Sequence, residues 1–247
     1  MIKLAIITPC LNEEEVLPIS AAKLIGILDS LTAEGLVSAD SCLIVVNDGS
    51  TDGTWKLVED LHAKDPRVKG VDLMQNSGHQ AALLAGMSVA RKIADASVTI
   101  DSDLQDDPYA IREMVIRHSE GAEVVYGVRS NRDSDTPMKR GMAHLFYKIM
   151  KLLGTKVIPD HADFRLMGQD SMQKLATYGE EDIYLRGLVP KMGFPYAIVY
   201  YVRAERAAGE TSYTFWKSLK LAFGVLGEYT GIKKRRSSKY EIKTVLG

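Results

Sequence analysis

Short apolar runs alternate with helical patterns through the first half of this 247-residue chain. The runs are rich in Val and Ile and end in turn-forming residues, as strands do; they occupy residues 3–8, 42–47, 68–74, 97–100 and 123–128. Helical patterns lie between them at 14–30, 54–63, 80–94 and 109–119. This alternation predicts an α/β fold in which a mostly parallel sheet is covered by helices on both faces.

The second half of the sequence has a weaker pattern. Residues 138–153 are helical in pattern, a further strand is predicted at 196–202, and the remainder of 160–213 is irregular. Ligands of parallel sheets bind beyond the carboxyl ends of the strands. The candidate functional residues are therefore those that directly follow each predicted strand.

Composition excludes several classes of protein. Hydrophobic residues make up 46% of the chain, and the formal net charge of -1 gives no attraction to nucleic acid. Cys10 and Cys42 lie in or beside strands, so we expect two small buried residues in a reducing cytoplasm rather than a disulfide. We expect neither a signal peptide at the start nor an apolar run of the ~20 residues that span a bilayer.

The segment DSDLQDDP, residues 101–108, crowds carboxylates directly behind a predicted strand. Asp101 and Asp103 project to the same side in extended geometry, and Gln105 can follow them. Carboxylate and amide oxygens suit Mg²⁺ or Mn²⁺, and a cation would remove their repulsion. The alternative is a polar turn that caps the next helix, a role expected of Asp106 and Asp107.

Other segments behind strands have two interpretations each. Asp48 in NDGSTDGT can accept a hydrogen bond from a base or ribose, or belong to an ordinary strand–turn–helix connection. Arginines can bind phosphate bidentately, or lie in solvated loops; this applies to Arg129, Arg132, Arg140 and Arg206. His79 and His161 lack the spacing of metal ligands and are interpreted as polar loop or site-wall residues. Sequence motifs of serine hydrolases, P-loop kinases and dinucleotide oxidoreductases are missing.

The ordered series TPCLNEEE, VNDGSTDGT, NSGHQAALLAG, DSDLQDDP, YGVRSNR, ADFRLM, YLRGLV and ERAAGETSY resembles the family-2 glycosyltransferases of GT-A fold. It is most similar to the enzymes that act on polyprenyl phosphates, namely the bactoprenol glucosyltransferases and dolichol-phosphate mannose synthases. The resemblance extends to about Gly231. It implies a GT-A domain, a Rossmann-like α/β fold, over residues 1–213.

The resemblance also implies roles for individual residues. The nucleotide-sugar site would comprise Pro9, Glu13, Asp48, Asp101 and Arg206. The metal, Mg²⁺ or Mn²⁺, would be held by Asp101, Asp103 and Gln105. The acceptor phosphate would be bound by Arg129, Arg132 and Arg140, and the catalytic residues would be Asp103, Asp163 and Arg165.

The function that the resemblance implies is an inverting transfer of a hexose from a nucleotide sugar to an undecaprenyl or dolichyl phosphate. We expect glucose as the sugar and UDP in preference to GDP as the nucleotide. Two alternatives stay open. One is a transferase with a saccharide or soluble acceptor, for which Asp163 would be the base; the other is a catalytically silent nucleotide-sugar-binding or scaffold protein.

The C-terminal part departs from the family pattern. Ser212 stands where relatives have a lysine, residues 141–146 lack a hydroxyl side chain although His144 can substitute, and the usual transmembrane hairpin is missing. Residues 214–247 are predicted as an amphipathic, basic helical extension that lies on a membrane surface or packs on the protein. We therefore expect a cytoplasmic protein that is peripheral to the inner face of the membrane. We also expect it to form a homo-oligomer.

Overall fold

The computed structural model describes residues 1–130, 161–179, 184–203 and 240–247, and within these residues the strands form one mixed sheet. The apolar runs predicted in the first half form its centre. The strands are β1 (Leu4–Cys10), β2 (Cys42–Asn47), β3 (Val68–Leu73), β4 (Ala96–Thr99), β5 (Val124–Arg129), β6 (His161–Gly168), β7 (Tyr196–Tyr201) and β8 (Ile242–Leu246).

The strand order is β7-β5-β6-β4-β1-β2-β3-β8. Strands β3, β2, β1 and β4 are parallel neighbours, and β5 pairs in parallel with β7. Only β6 and β8 run antiparallel to their neighbours among the described strands. The mostly parallel sheet is thereby confirmed, and the carboxyl ends of β1, β2, β3 and β4 meet at one edge.

Helices cover both faces of the sheet, as the alternating pattern predicted. They are α1 (Leu17–Ala33), α2 (Thr54–Lys64), α3 (His79–Ile93), α4 (Ala110–Ser119), α5 (Gln169–Ala176) and α6 (Leu185–Lys191). One core cluster packs the sheet against α1, α2 and α4, and the other packs it against α3, α5 and α6. Helix α2 starts at Thr54, where the side chain of Asp52 accepts a hydrogen bond from the Thr54 backbone N–H at 3.0 Å.

Strand β6 is an element that sequence reasoning did not assign. All eight of its residues are buried, although the sequence HADFRLMG contains charged and polar side chains. The sequence of β6 shows neither an alternating nor a continuous apolar pattern, because it contains Asp163 and Arg165. These two charged residues can be buried because they neutralise each other inside the sheet. The helix predicted at 138–153 lies outside the described residues.

Strand β8 corrects the prediction for the last residues of the chain. Residues 214–247 were expected to form a helical extension, but Ile242–Leu246 pair antiparallel with β3 at the edge of the sheet. Lys243 Nζ lies 3.0 Å from Asp72 Oδ2, and the buried Asp72 also accepts a hydrogen bond from Asn47 at 2.6 Å. The partner strand of β8 is remote in sequence, so local pattern could not identify the pairing.

Both cysteines are free and buried, as predicted. Burial raises the pKa of the Cys10 thiol to about 12 and also raises that of Cys42. Across the described ranges, none of the helices is long and apolar enough to cross a membrane.

Two glycines in helices provide a matched test of the packing. A Cβ at Gly86 in α3 would overlap the Cγ2 methyl of Ile7, whereas a Cβ at exposed Gly26 in α1 would meet nothing within 4 Å. Gly86→Ala should lower the free energy of unfolding by about 1–3 kcal/mol through overpacking. Gly26→Ala should raise it by about 0.5–1 kcal/mol, because alanine favours the helix.

Urea unfolding followed by circular dichroism measures both variants. Equal effects of the two substitutions would contradict the close packing of α3 on β1.

Candidate active site

The segments that follow β1, β2, β3 and β4 enclose a cleft of about 240 Å³ at the carboxyl edge of the sheet. Its lining includes all the predicted donor-side residues that the structure describes, except Gln105. The lining residues are Pro9, Cys10, Leu11, Glu13, Asp48, Asn76, Gly78, His79, Ala82, Asp101, Ser102 and Asp103. The structure thus brings together carboxylates that are far apart in the sequence.

Hydrogen bonds between the loops after β1 and β2 hold Glu13 in the cleft wall. Asn12 has a positive φ of 56°, and its side-chain oxygen accepts the Thr51 backbone N–H at 2.8 Å. The Glu13 backbone N–H donates to Thr54 Oγ1 at 2.9 Å. Each loop therefore supports the other, and the backbone of Glu13 is fixed at the start of α2.

Asp48 binds the segment that leads into α3. Its Oδ1 accepts the Ser77 N–H at 2.7 Å and its Oδ2 accepts the Gly78 N–H at 2.9 Å. Burial raises the pKa of Asp48, and these backbone hydrogen bonds oppose the increase. Asp48 thus connects the end of β2 to the first turn of α3 while it faces the cleft.

Asp101 and Asp103 both reach the cleft from the turn after β4. Asp103 Oδ1 accepts the backbone N–H of Gln105 at 3.1 Å across Leu104, which has a positive φ of 50°. A left-handed leucine costs of order 1 kcal/mol, so the turn is held by its surroundings. Burial raises the pKa of Asp101, which His79 opposes and the charges of other nearby carboxylates increase further.

The donor set suits a divalent cation that shares its coordination with a substrate. No group of three or more His, Cys, Asp or Glu side chains among the described residues could hold a metal by itself. Two cleft-lining carboxylates, Asp101 and Asp103, are hard ligands, and Mg²⁺ or Mn²⁺ commonly takes its other ligands from water and phosphates. The residues present therefore fit such an ion.

The position of the Gln105 side chain differs from the one expected of a metal ligand. Its side chain is buried, and its Oε1 accepts a hydrogen bond from Arg203 Nη2. Gln105 does not belong to the lining of the cleft. Asp101 and Asp103 do line the cleft, and their role as metal ligands stays a prediction.

Asp106 lies in a buried polar cluster beside the cleft. Its Oδ1 accepts hydrogen bonds from Tyr201 Oη at 2.7 Å and from Arg129 Nη2 at 3.2 Å. The prediction that Asp106 caps a helix is wrong, because this carboxylate is used to neutralise Arg129. Asp107 does cap the following segment, accepting the Tyr109 N–H at 3.0 Å. Arg129 was predicted to bind the acceptor's phosphate, and here it lies in an ion pair.

Asp163 is the centre of a second buried cluster, which lies next to His79 but outside the lining of the cleft. Its Oδ1 accepts a hydrogen bond from Arg165 Nη2 at 2.5 Å, and its Oδ2 accepts one from Arg186 Nη2 at 2.8 Å. Gln80 Nε2 also donates to Oδ2, at 3.2 Å. Burial raises the pKa of Asp163, but the nearby His79 and the charges of the two arginines outweigh it and place the pKa well below its ordinary value.

Arg165 is completely buried, which corrects its assignment as a catalytic residue. Its Nη1 donates to the Leu185 carbonyl at 3.2 Å, and its Nε has no hydrogen-bond partner. Burial lowers the pKa of Arg165. With no exposed surface, Arg165 can only position Asp163 and the start of α6.

His79 lies in the wall of the cleft, one of the two positions expected for it, but its contacts with two aspartates and the role of Arg186 were not predicted. His79 Nε2 lies 3.7 Å from Asp101 Oδ1 and 3.6 Å from Asp163 Oδ2. Burial opposes charge on His79, yet Asp163 and Asp101 prevail and raise its pKa. His79 lies in the motif NSGHQ and Arg186 in the motif YLRGLV, and both motifs belong to the ordered series that resembles the family. Membership in this series was the sequence signal that could have identified the two residues. Arg132, Arg140 and Arg206 lie outside the described residues and keep their predicted roles as predictions.

Curated proteins related to this chain include several glycosyltransferases. It is 44% identical over 227 residues to an uncharacterised glycosyltransferase of Bacillus subtilis, YkoT, which covers 92% of this chain and 67% of that protein. It is 34% identical over 221 residues to the prophage bactoprenol glucosyl transferase homolog of Escherichia coli, covering 89% of this chain and 70% of the relative. The chain thus spans about two thirds of the length of these relatives.

Solved structures show the same fold. The mannosyltransferase PcManGT of Pyrobaculum calidifontis, in complex with GDP-Man and Mn²⁺, matches with a TM-score of 0.59 at 16% identity, over 96% of this chain and 66% of that chain. Glucosyl-3-phosphoglycerate synthase of Mycobacterium tuberculosis, in complex with Mn²⁺, UDP-glucose and phosphoglyceric acid, gives a TM-score of 0.57 at 18% identity, over 98% and 86%. The expected GT-A fold is thereby confirmed.

A family model described as glycosyl transferase family 2 matches residues 5–175. The match runs from β1 into α5 and contains every residue that lines the cleft. The chain therefore belongs to glycosyl transferase family 2.

Proposed function

We propose that this chain transfers a hexose, glucose in the first instance, from a nucleotide sugar to a polyprenyl phosphate at a membrane surface. UDP is the expected nucleotide and Mg²⁺ or Mn²⁺ the expected metal. The names of the Escherichia coli and phage SfV relatives, which refer to bactoprenol glucosyl transferase, support this substrate class.

The observation that carries the proposal is that Asp163 is bound by two arginines and has a lowered pKa. A sugar hydroxyl acceptor needs a base to remove its proton, and an efficient base has a pKa near the working pH. Asp163 is bound by two arginines, and its pKa lies well below the ordinary value, so it is a poor base. A phosphate monoester has a second pKa near ~6 and is already ionised at neutral pH. The site therefore suits an acceptor that needs no deprotonation.

The donor end of the cleft supplies charge compensation for the leaving group. Asp101 and Asp103 would hold the divalent ion, which when bound neutralises charge on the departing nucleoside diphosphate. Asp48 and Glu13 line the same end and are expected to contact the nucleoside. The transferred sugar is then expected in the cleft beside this end, with its anomeric carbon open to the acceptor.

The proposal is tested by incubating the full chain with UDP-glucose, Mn²⁺ and undecaprenyl phosphate, and by measuring UDP release together with glycolipid formation. Substitution of a saccharide for the lipid phosphate is the control. Glycosylation of the saccharide alone would overturn the choice of acceptor. Nucleotide-sugar binding without transfer to any acceptor would favour a silent binding protein.

Asp103→Asn should weaken binding of UDP-glucose in Mn²⁺ by at least about tenfold, because it removes an anionic ligand of the metal. The matched control is Asp107→Asn in the same turn, which lies outside the cleft lining and keeps a side-chain acceptor for the Tyr109 N–H. Thermal-shift titrations with Mn²⁺ and with chelator measure both variants, since a ligand bound by the native state raises its apparent stability. Unchanged affinity of Asp103→Asn in Mn²⁺ would remove this residue from the metal site.

Asp163→Asn should lower the free energy of unfolding by about 3–5 kcal/mol, because it leaves the buried Arg165 without its counter-charge. Asp60→Asn on α2 is the control, since its ion pair with Lys56 is exposed and should contribute less than about 1 kcal/mol. Urea unfolding measures both. A stable Asp163→Asn variant that has lost only transfer activity would instead assign Asp163 a direct chemical role.

A further inference from the structure

His79 lies within the cleft, but the proposed function gives its side chain no role. Its Nε2 lies 3.7 Å from an oxygen of Asp101, which lines the cleft, and 3.6 Å from an oxygen of the buried Asp163, which does not. The His79 side chain lines the cleft and is 43% exposed. It is therefore accessible to a substrate in the cleft.

The backbone around His79 is held from both sides. The N–H groups of the two preceding residues, Ser77 and Gly78, donate to Asp48. The following residue, Gln80, donates to Asp163 and accepts the Leu185 N–H at 3.1 Å. A side chain supported in this way has a defined location, which is a requirement for selective contact with a ligand.

The distances leave room for a hydrogen-bonding group of the substrate. Both separations from Nε2 exceed the 2.7–3.2 Å range of a well-formed hydrogen bond. A hydroxyl group that approaches Nε2 from the cleft can bond to the ring and to a neighbouring carboxylate at once. A hexose offers several hydroxyl groups, whereas the uracil and diphosphate belong to the donor end.

In a direct transfer, the sugar is bonded to the leaving diphosphate and is approached by the acceptor from the other side. Asp101 lines the cleft where the metal and the diphosphate are expected, so the sugar bonded to this diphosphate is expected in the same cleft, within reach of His79. Resting on the proposed function, we propose that His79 contacts a hydroxyl group of the transferred hexose and thereby determines which sugar is accepted.

The test compares UDP with UDP-glucose on the full chain in Mn²⁺ by isothermal titration calorimetry. His79→Ala should weaken binding of UDP-glucose by about tenfold, the effect of one lost hydrogen bond in a desolvated site. The affinity for UDP should stay within about twofold of that of the wild type. The preference for UDP-glucose over its C4 epimer UDP-galactose should change in the same variant, since selection by hydroxyl contacts depends on their direction.

Two conservative variants separate contact from structural support. Gln can place its amide near the position of Nε2, whereas the shorter Asn cannot, so His79→Gln should recover part of the UDP-glucose affinity and His79→Asn should not. Thermal melting of all the variants shows whether the fold is retained.

Equal losses for UDP and UDP-glucose in a folded His79→Ala protein would overturn the sugar contact and place His79 at the donor end. Unchanged affinity for both would overturn it as well. Failure of the wild-type chain to bind any nucleotide sugar would instead overturn the proposed function, which distinguishes the two failures.

Discussion

The buried ion cluster around Asp163 is the constraint on which the second half of the sheet and the support of His79 depend. Strand β6 inserts antiparallel between β4 and β5, and it brings an arginine with no exposed surface into the sheet. Such a cation is tolerated only because Asp163 neutralises it and Leu185 accepts one of its N–H groups. The same carboxylate then fixes Arg186 and Gln80, so the stability of the strand and the geometry of the site have one origin.

The first turn of α3 connects the cleft to the buried cluster around Asp163. Its approach segment donates backbone N–H groups to Asp48, its first residue lies close to both Asp101 and Asp163, and its second residue contacts both Asp163 and Leu185. A displacement of this turn would move His79 relative to the carboxylates of the cleft. Close packing of Gly86 on Ile7 keeps the helix at a short distance from the sheet and so limits such displacement.

The sequence was sufficient to predict the central sheet and part of the site. Strands β1 to β5 are short runs rich in apolar residues, and polar residues follow them, so both their type and the location of Asp48, Asp101 and Asp103 could be predicted. Strand β6 could not, because its charged residues compensate one another only after folding. For the same reason Asp106 was mistaken for a cap, since its partners Arg129 and Tyr201 come from β5 and β7.

Strand β8 has a consequence for how the protein folds during synthesis. Leu73 of β3 pairs with Ile242, so a row of backbone N–H and C=O groups at the edge of β3 stays open until that residue leaves the ribosome. Unpaired parallel edges are sites of intermolecular association, and pairings this remote in sequence form slowly. A chain in which β8 has not yet paired therefore exposes the edge of β3, where other chains or chaperones can bind.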